Sequence, residues 1–334
     1  MLSKPLGRSV TGLVVVIIVM VAWFALQVDP LFHGKGKNVI VTVSDGESMS
    51  ALTSAIHAKG VIASTLAFQI DTTLFGSFRV AAGSYEIAQG SSFSHVRSVF
   101  SAPPNVVSVD VTAGLTLHEV AFDVAQGKGN SYGDSFAQLA TADKTPSPFH
   151  SSGSLEGLIG TGEYIIRPGE SPAQLATTME KRFVKQAASV GLTSTTTLNG
   201  LNAYQLVIAA SIVEKEGYYP VNMPKVARVI YNRLARGGPL QMDATVLYYL
   251  GKDGGTVTPA MLHTQEPYNT YKNTGLTPTP ICSVSTIALR ATLHPPVGTW
   301  LYFTLINEDG TMAFSTTFTQ QLHEESIGEK NGVG

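Results

Sequence analysis

The sequence predicts an α+β protein: a single N-terminal transmembrane helix, then a small α+β module, then a larger mixed α+β domain. Three observations carry this. Residues 9–28 form an uncharged, almost wholly apolar run. Beyond it, alternating strand patterns and amphipathic helical patterns are interleaved along the chain. A proline-rich break, Ala102-Pro103-Pro104-Asn105, then separates residues 37–102 from residues 103–330. The 334 residues suit two domains at roughly 100–200 residues each.

The apolar run VVVIIVMVAWFAL lies within residues 9–28. About twenty residues at about 1.5 Å each span a hydrocarbon core of about 30 Å. Lys4 and Arg8 precede the run and Asp29 follows it. The positive-inside rule makes residues 1–8 a cytoplasmic tail and puts everything after the span on the other side. A cleaved signal peptide has an apolar stretch of about 7–15 residues ending in an A-x-A-like site. This run is longer, and Ala22 and Ala25 do not have that spacing, so an uncleaved anchor is expected.

After a polar, Gly-rich linker at 33–38, Val39–Val43 alternates like a strand. Ser48 is a candidate N-cap for a helix over Met49–Lys59, with Gly60 as its stop. Leu52, Ala55 and Ile56 fall on one face of it. A second helix is expected from Ser64 to Phe75, a strand at Gly83–Ile87, and a further amphipathic stretch from Ser92 through Phe93, Val96 and Val99.

Past the break, Val106–Thr112 alternates strictly and reads as a strand. Thr116 is a candidate cap for a helix over Leu117–Gln126, and Ser135–Ala142 is a weaker helix. Residues 143–162, rich in Ser, Thr, Pro and Gly, read as loop. Helices follow at Pro172–Val190, Ala203–Glu216, Pro224–Arg236 (with proline in its first turn), Thr245–Leu250 and Ser285–Leu293. Pro267–Pro280 reads as loop and Trp300–Leu305 as a buried strand. With a turn at Gly310-Thr311 and Met312–Ser315, that strand makes a terminal hairpin.

Composition narrows the function. Apolar residues make up 44% and charged residues 14%, the latter well under the roughly 25% of ordinary soluble domains. The formal net charge is −2, from 22 basic and 24 acidic residues. Without a basic excess, a nucleic-acid partner is excluded as a leading reading, whereas a neutral polymer is compatible. A lone Cys282 can form neither an internal disulfide nor a multi-cysteine metal site; it reads as a small residue packed beside Pro280 and Ile281.

Common catalytic signatures are mostly absent. There is no G-x-x-x-x-G-K-[ST] or H-E-x-x-H, and no histidine pair with ligand spacing. No metal and no cofactor is therefore expected. What stands out is Glu214-Lys215-Glu216, closing a very apolar helix. Two residues apart on a helix is about 200° of rotation, so the two carboxylates face opposite sides. A helix apolar on most sides is buried. At least one acid then meets a desolvated wall, which raises its pKa. A carboxylic acid protonated near neutral pH suits general-acid cleavage of a glycosidic bond; the plain alternative is a frayed, solvated helix end. Asp243 is a second carboxylate, otherwise readable as the N-cap of the following helix. Tyr268-Asn269-Thr270-Tyr271 offers rings, hydroxyls and an amide suited to sugars, or simply a rigid turn. His294-Pro295-Pro296 reads as a strand-entry turn.

Seven blocks, in order, resemble the endolytic murein transglycosylases of the MltG (YceG-like) family. They are Ala210-Ser211-Ile212-Val213-Glu214-Lys215-Glu216, Asn232-Arg233-Leu234, Leu240-Gln241-Met242-Asp243-Ala244-Thr245-Val246, Tyr268-Asn269-Thr270-Tyr271, Gly275-Leu276-Thr277-Pro278-Thr279-Pro280-Ile281, His294-Pro295 and Leu301-Tyr302-Phe303. Gly60-Val61-Ile62 and Ala82-Gly83-Ser84-Tyr85 fit the family's LysM-like subdomain more loosely, which assigns residues 37–102 to that subdomain and 103–330 to the catalytic domain. The chain departs where the family reads close to L-E-G-x-L-F-P-D-T-Y: Leu155-Glu156-Gly157-Leu158-Ile159 continues as Gly160-Thr161-Gly162-Glu163-Tyr164. It departs also at Thr277, where proline is usual, and at Met312 in the last hairpin.

The resemblance implies that Glu216 is the catalytic glutamate and that Gln241, Asp243, Tyr268, Asn269 and Tyr271 line the cleft. It implies endolytic cleavage of the bond between N-acetylmuramic acid and N-acetylglucosamine in peptidoglycan strands, leaving a 1,6-anhydromuramic end. It further implies an inner-membrane anchor with the catalytic part in the periplasm, and peptidoglycan synthases as partners. Two other readings remain: a hydrolytic muramidase using Glu216 with Asp243, and a glycan-binding scaffold without turnover.

Overall fold

The computed structural model describes residues 6–29, 36–141, 145–150, 153–217 and 219–333. Parts of the expected cytoplasmic tail, of the linker at 33–38 and of the loop at 143–162 lie outside them. The chain divides into two compact units: Met1–Ser108 with Ile165–Gly169, and Val109–Tyr164 with Glu170–Gly334. Residues 103–108 thus belong with the first unit, a few residues past the proline break.

The first unit begins with α1 (Leu6–Val28). Its stretch Thr11–Val28 has a mean hydropathy of 2.5 and is not buried within the protein, the properties of a candidate membrane span. The order then is β1 (Asn38–Val43), α2 (Met49–Ala58), α3 (Thr65–Phe75), β2 (Gly83–Ala88) and α4 (Phe93–Ser101), the expected sequence of strands and helices. β1 and β2 pair antiparallel, with Asn38 opposite Ala88 and Val43 opposite Gly83. Strand alternation sends Val41, Val43, Tyr85 and Ile87 inward. Ser48, Ser64 and Ser92 each accept the backbone N–H of the third residue onward, so all three helices carry a side-chain N-cap. Inside, Phe68 meets Phe93 edge-on at 5.1 Å between ring centroids, and Tyr85 packs on Phe100 at 4.8 Å.

β3 (Val107–Val111) and β4 (Gly162–Ile166) form a two-stranded sheet. The second unit contains α5 (Leu117–Lys128), α6 (Asn130–Thr141), α7 (Pro172–Ser189), α8 (Ala203–Glu216), α9 (Met223–Ala235), α10 (Asp243–Tyr249), α11 (Pro259–Leu262), α12 (Thr286–Leu293), β5 (Tyr302–Leu305), β6 (Met312–Ser315) and α13 (Phe318–Lys330). β5 and β6 form the expected antiparallel hairpin. At the centre lies α8, every residue of which from Leu206 to Val213 is buried. Its start is fixed by a capping box between Asn202 and Gln205. Ser211 sits within it without loss, because its hydroxyl donates to the Ile208 carbonyl (2.8 Å) and accepts the Ile281 N–H (3.0 Å). Cys282 is buried against the same turn, its thiol 3.4 Å from the Ser211 carbonyl.

β4, from which Tyr164 and Ile166 point inward, begins where the expected loop at 143–162 ends. Four expectations need correction. α6 starts at Asn130 rather than Ser135; Gly133 lets it approach α5 so closely that a β-carbon there would lie 2.4 Å from that of Ala125. Asp243 is the first residue of α10, not its N-cap, which is Met242. β5 is half-buried along its length, as suits one strand of a two-stranded ribbon, not a fully buried strand. The chain continues past the hairpin into α13, whose buried residues are Gln321 and Gly328; with so little apolar periodicity, the helix left no readable stripe.

Candidate active site

The end of α8 directs three charged side chains three ways. Glu214 accepts the Ser285 N–H at the start of α12, at 2.8 Å. Lys215 donates to the Gly114 carbonyl at 3.3 Å and pairs with Asp253 at 2.5 Å. Glu216 accepts the Ala244 N–H through Oε1 at 2.9 Å. The two acids do leave opposite sides of the helix, as their spacing requires. α10 has no capping side chain of its own at Met242, and Glu216 supplies from α8 the acceptor that a local cap would give.

Burial pushes the Glu216 carboxyl up to about 7; the Ala244 N–H pulls it down, the Asp243 charge pushes it up, and the Arg233 guanidinium pulls it down. Desolvation wins, as expected for a carboxyl in low dielectric. Among the described residues no hydrogen bond reaches Oε2. The site thus holds an acid near its midpoint at neutral pH, one oxygen anchored and the other open.

Two adjoining cavities lie here, the first of them lined by this acid. One, of about 460 Å³, is lined by Glu214, Glu216, Asp243, Leu247 and the glycine pair Gly254 and Gly255. The other, of about 330 Å³, is lined by His118, Glu119, Glu156 and Tyr248. Lys215, Ala244, Lys252 and Asp253 border both, so the two form one groove with the Lys215–Asp253 pair at its waist.

Of the five expected binding residues, only Asp243 lines this groove. Tyr271 donates its hydroxyl to Asp243 Oδ1 at 2.5 Å, and burial pushes that phenol far up, so it remains a donor. Tyr268 bonds Thr279 at 2.8 Å and packs its ring 4.9 Å from that of Tyr248. Gln241 is exposed, at φ 51°, and its N–H donates to the Thr270 carbonyl at 3.0 Å. Asn269 is fully buried. Its amide donates to the Leu262 and Thr264 carbonyls at 3.1 and 2.8 Å, and its Oδ1 accepts the Tyr271 N–H at 3.0 Å. It braces its own loop, so the structure does not place it on the cleft. With Thr270 Oγ1 receiving the Met242 N–H, this loop's work is to hold the first turn of α10.

Three further residues belong to the site without having been singled out for chemistry. Glu156 is buried, accepts the Leu117 N–H at 3.1 Å with each oxygen and the Tyr248 hydroxyl at 3.0 Å, and is pushed up to about 7 by burial. The turn behind it needs glycine: Gly157 has φ +71°, and a β-carbon would sit 2.2 Å from Pro280. Arg233 bonds the Leu240 and Leu301 carbonyls and lies close enough to act on Glu216. Its neighbour Asn232 donates to the Gly298 and Trp300 carbonyls at 3.1 and 2.8 Å. Tyr248 joins Glu156 to the Tyr268 ring. No group of three or more His, Cys, Asp or Glu among the described residues is placed to hold a metal ion.

The family model described as YceG-like matches residues 41–326. The chain is similar to the endolytic murein transglycosylase of Bacillus subtilis (strain 168), at 29% identity over 323 residues covering 91% of this chain and 89% of that one. It is also similar to the endolytic murein transglycosylase of Streptococcus pneumoniae (strain D39), at 25% identity over 333 residues, 90% of this chain and 60% of that one. In fold it resembles the crystal structure of a YceG-like protein from Listeria monocytogenes, with a TM-score of 0.57 and 24% identity over 86% of this chain and 99% of that one. With most of its length matched, the chain belongs to the YceG-like family.

Proposed function

We propose that the chain is a lytic transglycosylase that cuts glycan strands of peptidoglycan internally, with Glu216 as general acid and then general base. The observation that carries this is the Glu216 carboxyl: pushed up to about 7, fixed through Oε1 and open at Oε2 beside a groove. The names of the relatives supply the substrate class.

In the first step the Glu216 proton passes to the oxygen linking C1 of N-acetylmuramic acid to O4 of N-acetylglucosamine, and that C1–O4 bond breaks. Glu216 is left as a carboxylate, supported by the Ala244 N–H and the Arg233 charge. In the second step it takes the proton of the muramic 6-hydroxyl while O6 bonds to C1. The bond made replaces the bond lost, no water enters, and the product carries a 1,6-anhydromuramic end. One carboxyl is enough for this route, whereas hydrolysis ordinarily uses two. Asp243, lining the same groove, supports a hydrolytic second reading; a scaffold without turnover leaves the raised pKa of Glu216 without a use.

On this reading α1 anchors the chain once in the inner (cytoplasmic) membrane, with the catalytic part in the periplasm. The module of β1, β2 and α2–α4 is a LysM-like glycan-binding subdomain, and peptidoglycan synthases are partners that a pull-down from solubilised membranes would recover. The test of the activity is cleavage of purified glycan strands by the full chain in detergent. Cleavage by the parent, and loss of it in a folded Glu216→Gln variant, supports the reading. Equal rates in both would overturn the assignment of Glu216.

A further inference from the structure

The first unit carries an apolar stripe that its own core does not use. Leu66, Ile70, Leu74 and Phe75 on α3 are 58%, 37%, 67% and 68% exposed. The first three are spaced four apart, so each lies only about 40° round the helix from the last. Ala67, Phe68 and Asp71 turn inward instead. Among the described residues of this unit, apart from Ile165 on β4, every exposed large apolar residue lies either on α1 or on this stripe. A contiguous exposed apolar patch marks an interaction surface.

Position says what covers it. The last turn of α1, with Phe24 and Val28, packs against the core of the unit, and α1 runs beside α3 and α4. The chain leaves the bilayer there if α1 spans it, so α3 sits at the level of the membrane surface. The helix is also prepared for that surface. Its one charged residue, Asp71, is buried and paired with Arg97. Arg97 also donates to the Phe75 and Gly76 carbonyls at 3.1 and 2.7 Å. Those carbonyls, at a helix C-terminus, would otherwise lack partners in a medium poor in water.

We propose that α3 is an interfacial helix: Leu66, Ile70, Leu74 and Phe75 insert into the headgroup–acyl boundary of the bilayer that α1 crosses. Such helices lie in the membrane plane with the apolar face about 5–10 Å deep. The module then has two membrane attachments, the span and α3, and the second fixes its orientation at the surface.

The test uses the full chain carrying one added cysteine, labelled with an environment-sensitive fluorophore and reconstituted at about one protein per vesicle of phosphatidylcholine and phosphatidylglycerol. Cys282 is fully buried and can stay. Leu74→Cys is compared with Asp45→Cys, in an exposed turn of the same module, and with Val16→Cys in α1, using lipids spin-labelled near the headgroup. The expected result is quenching at residue 74 several-fold above that at residue 45, reduced when Leu66→Glu and Ile70→Glu are added. With residue 16 quenched by acyl-chain spin labels and residue 74 no more quenched than residue 45, the proposal is overturned and the stripe is left to a protein partner. Residue 16 outside the bilayer would overturn the proposal together with the anchor. None of these outcomes depends on glycan cleavage, so the proposed activity stands or falls separately.

Discussion

Glu216, at the end of α8, and Glu156, in the turn closed by Gly157, have the same chemistry up to a point. Burial pushes both carboxyls up to about 7, and each accepts a backbone N–H in the first turn of a helix, α10 for Glu216 and α5 for Glu156. They differ in what the remaining oxygen does. Glu156 engages both oxygens with Leu117 and adds the Tyr248 hydroxyl; Glu216 Oε2 has no hydrogen-bond partner among the described residues. A raised pKa alone therefore does not mark the acid that reacts. The acid must also keep a lone pair or proton facing the substrate, and by that standard the proposed catalytic role falls to Glu216, while Glu156 ties α5 to α10.

Glu216→Gln gives the largest expected effect, a loss of cleavage of about 10²–10⁴-fold with unfolding temperature near that of the parent. Steady-state cleavage with parallel thermal melts measures both. Next, Glu156→Leu strands the Leu117 N–H and the Tyr248 hydroxyl and should cost about 1–3 kcal/mol of stability, read from denaturant unfolding. Glu156→Gln should keep most of that stability and most of the activity. If instead it inactivates a folded protein as fully as Glu216→Gln does, the contrast between the two acids collapses.

A smaller effect concerns pH. Glu216 must enter the reaction protonated, so kcat/KM should fall as pH rises through about 7. The Asp243 charge is one of the causes raising that acid, so Asp243→Asn should move the limb to lower pH. A limb that moved upward would contradict the proximity argument. The smallest effect is on stability. Folded protein keeps its protons on Glu216 and Glu156 up to about pH 7, whereas unfolded chain releases them near the ordinary carboxyl value of about 4.3. Their contribution is thus fully present below that lower value and lost as pH rises through the upper one. The fall of unfolding temperature with rising pH should be shallower in a Glu156→Gln/Glu216→Gln double variant.

The Glu214-Lys215-Glu216 triplet was legible in the sequence because its signal is local: an apolar helix, a glycine after it, and acids two apart; the choice of Glu216 over Glu214 came from the family resemblance. The capped helices of the first unit were legible for the same reason. Glu156 carried no such signal. Its partners stand 39 and 92 residues away, and nothing in Leu155-Glu156-Gly157 announces that a tyrosine of α10 will meet it. The Tyr268–Tyr271 loop shows the opposite limit: its residue types suit a sugar, yet the fold turns the Asn269 amide inward. Composition names candidates; which way a loop side chain turns depends on carbonyls the sequence does not place.

The most direct test is mass spectrometry of the ends released from purified glycan strands by the full chain and by its Glu216→Gln variant. The account predicts 1,6-anhydromuramic ends from the parent and no new ends from the variant. Reducing ends from the parent would mean that water attacks C1, and would contradict the claim that Glu216 works without a second carboxyl.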